Sequence, residues 1–150
     1  MKILVVPRKY VAQFDANSDF FKNNNFISIG EIEGHEGVSA SGPNILKLVF
    51  EDVSDKEDEI KFSTEHAQQI KDFIDRIDKS KTLFINCQAG ISRSGAVGEV
   101  LNDYVNCMLN NGEKNEDHHI NEINNYHIRP NAWVKSVLKQ VLGFYDGMKF

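Results

Sequence analysis

Hydrophobic positions along the chain form two kinds of pattern, short β-branched runs and longer stripes with helical spacing. The short runs predict four strands, over residues 2–6, 26–29, 45–50 and 82–86. Apolar residues three and four apart predict long helices over residues 64–79, over residues 94–109 and after Pro130-Asn131 as far as Tyr145. Weaker patterns indicate short helices over residues 8–14 and 117–126. Ser63 is well placed to cap the first long helix.

Strands interleaved with helices in this order are typical of an α/β fold. We expect a central, mostly parallel sheet of about four to five strands, flanked by helices on both faces. The 150 residues suit a single domain over residues 1–150. Because ligands bind beyond the carboxyl ends of the strands in such folds, the segment after the 82–86 strand is the strongest candidate for a functional site.

Charge and composition narrow the class of protein. The chain has 17 Lys and Arg against 22 Asp and Glu, and it contains no basic run, so nucleic acid is an unlikely partner. No apolar stretch approaches the roughly 20 residues that a membrane span needs, and the one before Pro7 is too short for a secretory leader. Two cysteines do not make a disulfide framework. We therefore expect a cytoplasmic protein with no membrane partner.

The segment 83–95 has the sequence LFINCQAGISRSG and joins the fourth strand to the second long helix. A loop in that position directs successive backbone N–H groups towards a bound anion such as phosphate, sulfate or vanadate. Gly90 allows the loop to bend, and the Arg93 guanidinium can bind two phosphate oxygens at once. The predicted phosphate-binding residues are Gln88, Ala89, Gly90, Ile91, Ser92 and Arg93.

Cys87 lies at the start of the same loop. The backbone amides, the helix dipole and Arg93 should favour its thiolate, which would then be a nucleophile directed at phosphorus. Ser94 can donate a hydrogen bond to the thiolate and assist its departure in a second step. The alternative interpretation is a buried structural cysteine followed by a surface arginine.

The run from Cys87 to Ser94, CQAGISRS, resembles the phosphate-binding loop of the cysteine-based protein tyrosine phosphatase superfamily. Its residues are most similar to those of the dual-specificity branch. The resemblance extends from about Ile45 to about Leu142. It implies a phosphotyrosine protein phosphatase-like fold, a phosphorylated protein or peptide as substrate, and no cofactor or metal. It also implies a phosphocysteine on Cys87, phosphoryl binding by Arg93, hydrolysis assisted by Ser94, and a shallow pocket.

A general acid is needed to protonate the leaving oxygen. The acidic stretch after the third strand supplies the candidates, of which Asp52 is the first choice, because it aligns with the family's acid, and Asp55 is the second. The other candidates in this stretch are Glu51, Glu57 and Asp58. The family normally has His before the nucleophile, whereas this chain has Asn86, which puts the rate and the acidity of Cys87 in question.

Two alternative functions remain open at this point. In the first, the protein is a weakly active phosphate-recognition module that binds phosphorylated partners, and Asn86 supports this alternative. In the second, the chemistry is the same but the substrate differs, so that the protein is an RNA 5′-phosphatase or a phosphoinositide phosphatase. The histidines His118, His119 and His127 do not have metal-ligand spacing, so no metal site is predicted. Residues 39–43 could form part of the pocket rim. Cys107 is expected to pack in the core rather than to pair with Cys87.

Overall fold

The computed structural model describes residues 1–31, 38–53, 61–105, 120–122 and 128–143, which form five strands and five helices. The strands are β1 (Ile3–Pro7), β2 (Asn25–Gly30), β3 (Ile45–Val49), β4 (Leu83–Cys87) and β5 (Ile120–Glu122). The helices are α1 (Arg8–Val11), α2 (Asp19–Lys22), α3 (Thr64–Arg76), α4 (Arg93–Asp103) and α5 (Ala132–Leu142). None of these described helices is long and apolar enough to cross a membrane.

The five strands form one sheet in the order β3-β2-β4-β1-β5, and every neighbouring pair is parallel. In this register Pro7 lies opposite Cys87, and Gly30 lies opposite Val49. The carboxyl ends of four strands therefore meet at one edge, where a ligand site is expected. The expected α/β fold with a parallel sheet of four to five strands is confirmed.

Alternating residues of the sheet supply two separate hydrophobic cores, one on each face. The larger core lies under α3, α4 and α5, where α5 packs against both of the other helices. The smaller core, under α1 and α2, is rich in aromatic rings. Leu83, Ile85 and Cys87 belong to the larger core, whereas Phe84, between Leu83 and Ile85 in sequence, belongs to the smaller one. Cys87 thus lies on the face that α4 covers.

Local signals explain where the long helices begin and end. Ser63 caps α3, since its hydroxyl accepts the backbone N–H of His66 and the His66 ring accepts the N–H of Ser63. The helix ends at Arg76, three residues before the predicted end, because Ile77 adopts an extended conformation. Gly143 ends α5 in the left-handed conformation. Of the predicted 94–109 helix, the described part is α4, and residues 106–109, including Cys107, lie outside the described residues.

Three of the short elements differ from prediction. The predicted 8–14 helix is shorter, since α1 spans only Arg8–Val11, and α2 was not predicted. The prediction of a helix over residues 117–126 is wrong at Ile120–Glu122, which pairs with β1 as an edge strand. Without β5, the backbone groups on that edge of β1 would lack strand partners, and such pairing overrides a weak local pattern. The rest of that predicted helix lies outside the described residues.

Candidate active site

A cavity of about 410 Å³ opens at the carboxyl edge of the sheet. Its lining includes Cys87 and Arg93 from the predicted phosphate loop, together with two carboxylates, Glu31 and Asp52, that come from other parts of the chain. The structure therefore brings the predicted nucleophile, phosphate-binding arginine and general acid to one cavity.

The loop over residues 88–92 turns sharply between β4 and α4, and Gly90 makes this turn possible. Its φ is +72°, in the left-handed region, where a side chain is disfavoured. A Cβ built on Gly90 would also lie only 2.5 Å from the backbone N of Pro7 and the carbonyl carbon of Val6. Glycine is therefore required here both for the backbone conformation and for close packing against β1.

Carbonyl groups of the loop accept hydrogen bonds from segments that surround it. The Gln88 carbonyl accepts the N–H of Arg8 at 3.2 Å, the Ile91 carbonyl accepts that of Arg129 at 3.0 Å, and the Ser92 carbonyl accepts that of Asn131 at 3.1 Å. These bonds fix the loop from outside. With three of its carbonyls engaged in this way, the loop is suited to bind an anion through its backbone N–H groups.

The Cys87 sulfur lies within this arrangement and is 2% exposed. Burial alone raises the pKa of the thiol. The Ser94 hydroxyl, 3.1 Å from Sγ, the backbone N–H groups of Ser94 and Ile91, and the charge of Arg93 all lower it, and the net result is a pKa below the ordinary value. These contacts favour the thiolate.

The Arg93 side chain is 6% exposed, and its guanidinium makes two fixed contacts. Nη1 donates to the Phe50 carbonyl at 2.9 Å, and Nη2 donates to Glu31 Oε1 at 2.5 Å. The buried Nε–H has no hydrogen-bond acceptor among the described residues. A buried donor without an acceptor is unfavourable. Arg93 also lines the cavity, where its positive charge would attract an oxyanion.

Glu31 and Arg8 belong to the same network, and sequence analysis did not identify either of them. Glu31 Oε2 accepts a hydrogen bond from Arg8 Nη2 at 2.7 Å, while Oε1 binds Arg93. Burial raises the pKa of Glu31, but the hydrogen bonds and charges of the two arginines outweigh this, so the pKa lies below the usual value. Both residues directly follow a strand, and this position is the signal that could have found them.

Asp52 is exposed at the mouth of the cavity and is held by neutral groups. Its Oδ1 accepts hydrogen bonds from Ser92 Oγ at 2.8 Å and from Asn131 Nδ2 at 2.7 Å. Asn131 also caps α5, because its Oδ1 accepts the N–H of Val134 at 3.1 Å. Asp52, the predicted acid, is thus attached to both the predicted phosphate loop and the start of α5. Asp55, the alternative acid, lies outside the described residues, as do Glu57 and Asp58.

Asn86, at the position where the superfamily that the loop resembles normally has histidine, is 1% exposed. Within the described part of the chain its Nδ2 has no hydrogen-bond partner. As a neighbour of Cys87 on β4, its side chain points to the opposite face of the sheet. The Asn86 amide donor therefore gives the phosphate loop no hydrogen bond from any described contact.

Two other expectations concern the surroundings of the site. Residues 39–43, suggested above as part of the rim, are not among the described residues that line the cavity, and Ser39 instead lines a smaller cavity of about 220 Å³ beside α1. No group of three or more metal-ligating side chains occurs in the ranges that the structure describes. His118, His119 and His127 lie outside those ranges.

Comparison of the chain with protein-family models, with curated proteins and with solved structures found no match.

Proposed function

We propose that the protein is a phosphate monoester hydrolase of the tyrosine or dual-specificity type, acting through a phosphocysteine intermediate on Cys87. One observation carries the proposal: Cys87, a buried thiol of lowered pKa, and Arg93, whose charge helps to lower that pKa, line the same cavity. A phosphate group would find both a nucleophile and donors for its oxygens in this cavity.

In the first step, the Cys87 thiolate attacks phosphorus. A P–S bond forms, the ester P–O bond breaks, and the leaving oxygen takes a proton from the carboxyl group of Asp52. Arg93 and the backbone N–H groups of the loop stabilise the charge on the equatorial phosphoryl oxygens. Glu31 is unsuited to the role of acid, because its two arginine partners keep it ionised.

In the second step, a water molecule attacks the phosphorus of the phosphocysteine. Asp52, now a carboxylate, accepts a proton from that water, and the P–S bond breaks with its electron pair returning to sulfur. The Ser94 hydroxyl, at 3.1 Å from Sγ, donates a hydrogen bond to the departing thiolate. Inorganic phosphate then leaves, and both Cys87 and Asp52 are back in their starting states.

The charges around the cavity favour phosphorylated proteins or peptides over polyphosphorylated substrates. Its described lining contains three carboxylate residues, Glu31, Glu51 and Asp52, and Arg93 as the single cationic residue. A phosphoinositide or an RNA 5′ end carries further phosphates, for which this lining offers no additional cation. The reaction uses no cofactor. Because the nucleophile must remain a reduced thiol, we place the protein in the cytoplasm.

Hydrolysis of a small aryl phosphate in the presence of a chelator tests the proposal. Turnover should persist with the chelator and be abolished by Cys87→Ser, because a serine hydroxyl is a far poorer nucleophile than a thiolate at neutral pH. Cys107→Ser is the matched control and should retain wild-type turnover. Metal-dependent activity, or activity that survives Cys87→Ser, would contradict the proposal.

The second candidate is a phosphate-recognition module. Asn86 Nδ2, which has no hydrogen-bond partner among the described residues, favours this function over full activity. Tight vanadate binding combined with negligible turnover would identify this function instead. Turnover of the aryl phosphate would exclude it.

A further inference from the structure

Two ion pairs link three charged side chains at the phosphate loop, in the order Arg8, Glu31, Arg93. The two oxygens of Glu31 are divided between the arginines, since Oε1 lies 2.5 Å from Nη2 of Arg93 and Oε2 lies 2.7 Å from Nη2 of Arg8. All three side chains are largely buried, with exposed fractions of 6%, 15% and 18% for Arg93, Glu31 and Arg8. Ion pairs in such surroundings are screened much less than surface pairs.

Arg8 is held in place independently of Glu31. Its backbone N–H donates to the Gln88 carbonyl at 3.2 Å, and its Nη2 also approaches the Ile29 carbonyl at 3.4 Å. Arg8 therefore lies where β1, β2 and the start of the phosphate loop meet. From there the Arg8 side chain contacts Glu31, and Glu31 in turn contacts Arg93.

A carboxylate and a guanidinium pair most strongly when both oxygens accept from two parallel N–H groups. If Glu31 bound Arg93 in that way, it would occupy donors that a phosphate needs. In the observed arrangement Glu31 uses one oxygen on Arg93, Phe50 uses one N–H of Nη1, and the Nε–H has no described acceptor. The second N–H of Nη2 also remains, since each Nη carries two protons.

We propose that Arg8 is a positioning residue for phosphate binding: by taking Oε2 of Glu31, it prevents a two-oxygen pair between Glu31 and Arg93 and leaves donors of Arg93 for the phosphate. This inference rests on the proposed function, in that the cavity is taken to bind phosphate. Arg8 also offsets the charge of Glu31, so that within this group of three side chains two guanidinium groups face one carboxylate. Without Arg8, Glu31 cancels the charge of Arg93.

The test measures binding of inorganic phosphate by isothermal titration calorimetry, together with KM and kcat for an aryl phosphate. Arg8→Met keeps the backbone bond to Gln88 but removes the guanidinium. It should weaken phosphate binding and raise KM about tenfold, with a smaller change in kcat. Adding Glu31→Gln to Arg8→Met removes the competing charge and should restore phosphate affinity to within about threefold of wild type. Arg76→Met is the matched control on the exposed side of α3 and should bind phosphate like wild type.

Restoration by the second substitution is what separates this role from a merely structural one. A double variant as weak as Arg8→Met, or an Arg8→Met protein that binds phosphate like wild type, overturns the proposal. If Arg8→Met does not fold, the single variant Glu31→Gln tests the proposal. It should bind phosphate about threefold more tightly than wild type. Weaker binding than wild type overturns the proposal. The predicted affinity pattern without any turnover would support the role of Arg8 while rejecting the hydrolase function. A wild-type protein that does not bind phosphate overturns both.

Discussion

Glu31 and Asp52 line the same cavity, and each lies just beyond the end of one of two neighbouring strands, β2 and β3. Glu31 is largely buried between two guanidinium groups, which lower its pKa. Asp52 is exposed and accepts hydrogen bonds from a hydroxyl and a side-chain amide, both neutral. The two carboxylates in one cavity thus have different partners: Glu31 is paired with two cations, whereas Asp52, which we propose as the acid, is held by neutral groups.

The partners also come from different parts of the fold. The guanidinium groups that hold Glu31 lie at the end of β1 and at the start of α4, so their positions follow from strand register. The groups that hold Asp52 are Ser92 of the phosphate loop and Asn131 at the start of α5. Substitutions at the two carboxylates should therefore affect different quantities.

Among the substitutions that test this contrast, the largest loss of kcat is expected for Asp52→Asn. Asp52→Asn removes the proton donor, so kcat for a phosphoserine peptide, whose alkoxide must be protonated to leave, should fall about 1,000-fold. For an activated aryl phosphate with a weakly basic phenolate, the loss should be only about tenfold. Steady-state kinetics on the two substrates measure this difference directly.

Asp55→Asn is the informative comparison for this prediction. If Asp52 is the acid, Asp55→Asn should leave the ratio of the two kcat values unchanged. If kcat instead depends on the leaving group in Asp55→Asn and not in Asp52→Asn, Asp55 is the acid. That result would contradict the contrast between Glu31 and Asp52.

A smaller effect is expected when the neutral support of Asp52 is weakened. Asn131→Ser retains a good N-cap for α5 but is too short to reach Asp52, so kcat should fall about tenfold while stability changes by less than about 0.5 kcal/mol. Asn131→Ala should lose the cap as well, at a cost of about 1 kcal/mol. Kinetics combined with urea denaturation separate the two contributions, and an unchanged kcat in Asn131→Ser would show that Asn131 serves α5 alone.

The smallest effect concerns the stability that Glu31 provides. Because its pKa is lower in the folded protein than its ordinary value of 4.5, ionised Glu31 stabilises the fold above that pH. This contribution is lost as the pH falls through the folded-state pKa. Glu31→Gln should therefore lower Tm by about 3 °C at pH 7, and the difference from wild type should shrink towards pH 3. A difference that stays constant with pH would mean that the charge of Glu31 does not stabilise the fold.

Much of the fold could be predicted from the sequence because its long elements have strong periodicity. The four predicted strands agree with β1 to β4 to within one or two residues, and the Ser63 cap of α3 is confirmed. Of the elements of three or four residues, α1 was predicted as a helix but too long, α2 was missed, and β5 was assigned wrongly. A segment such as Ile120–Glu122 is too short to show a period, and its strand conformation depends on pairing with β1.

The candidate site likewise has one part that could be predicted from local sequence and one part that could not. The phosphate loop is one continuous segment between a strand and a helix, so its parts could be identified together from residues 87–94. The pairing of Arg93 with Glu31 joins residues 62 positions apart, and that of Arg8 with Glu31 joins residues 23 apart. No local pattern encodes such contacts, because they arise only when the register of the parallel strands brings the strand ends to one edge.

The central claim is that Cys87 accepts a phosphoryl group from an ester. Rapid acid quenching of Asp52→Asn during turnover of an aryl phosphate, followed by peptide mass mapping, tests it most directly, because loss of Asp52 should slow hydrolysis of the intermediate and let it accumulate. We predict one phosphoryl group on the peptide that contains Cys87, attached through sulfur. Turnover with no phosphoryl group on the protein, or with the group on another residue, would contradict the account.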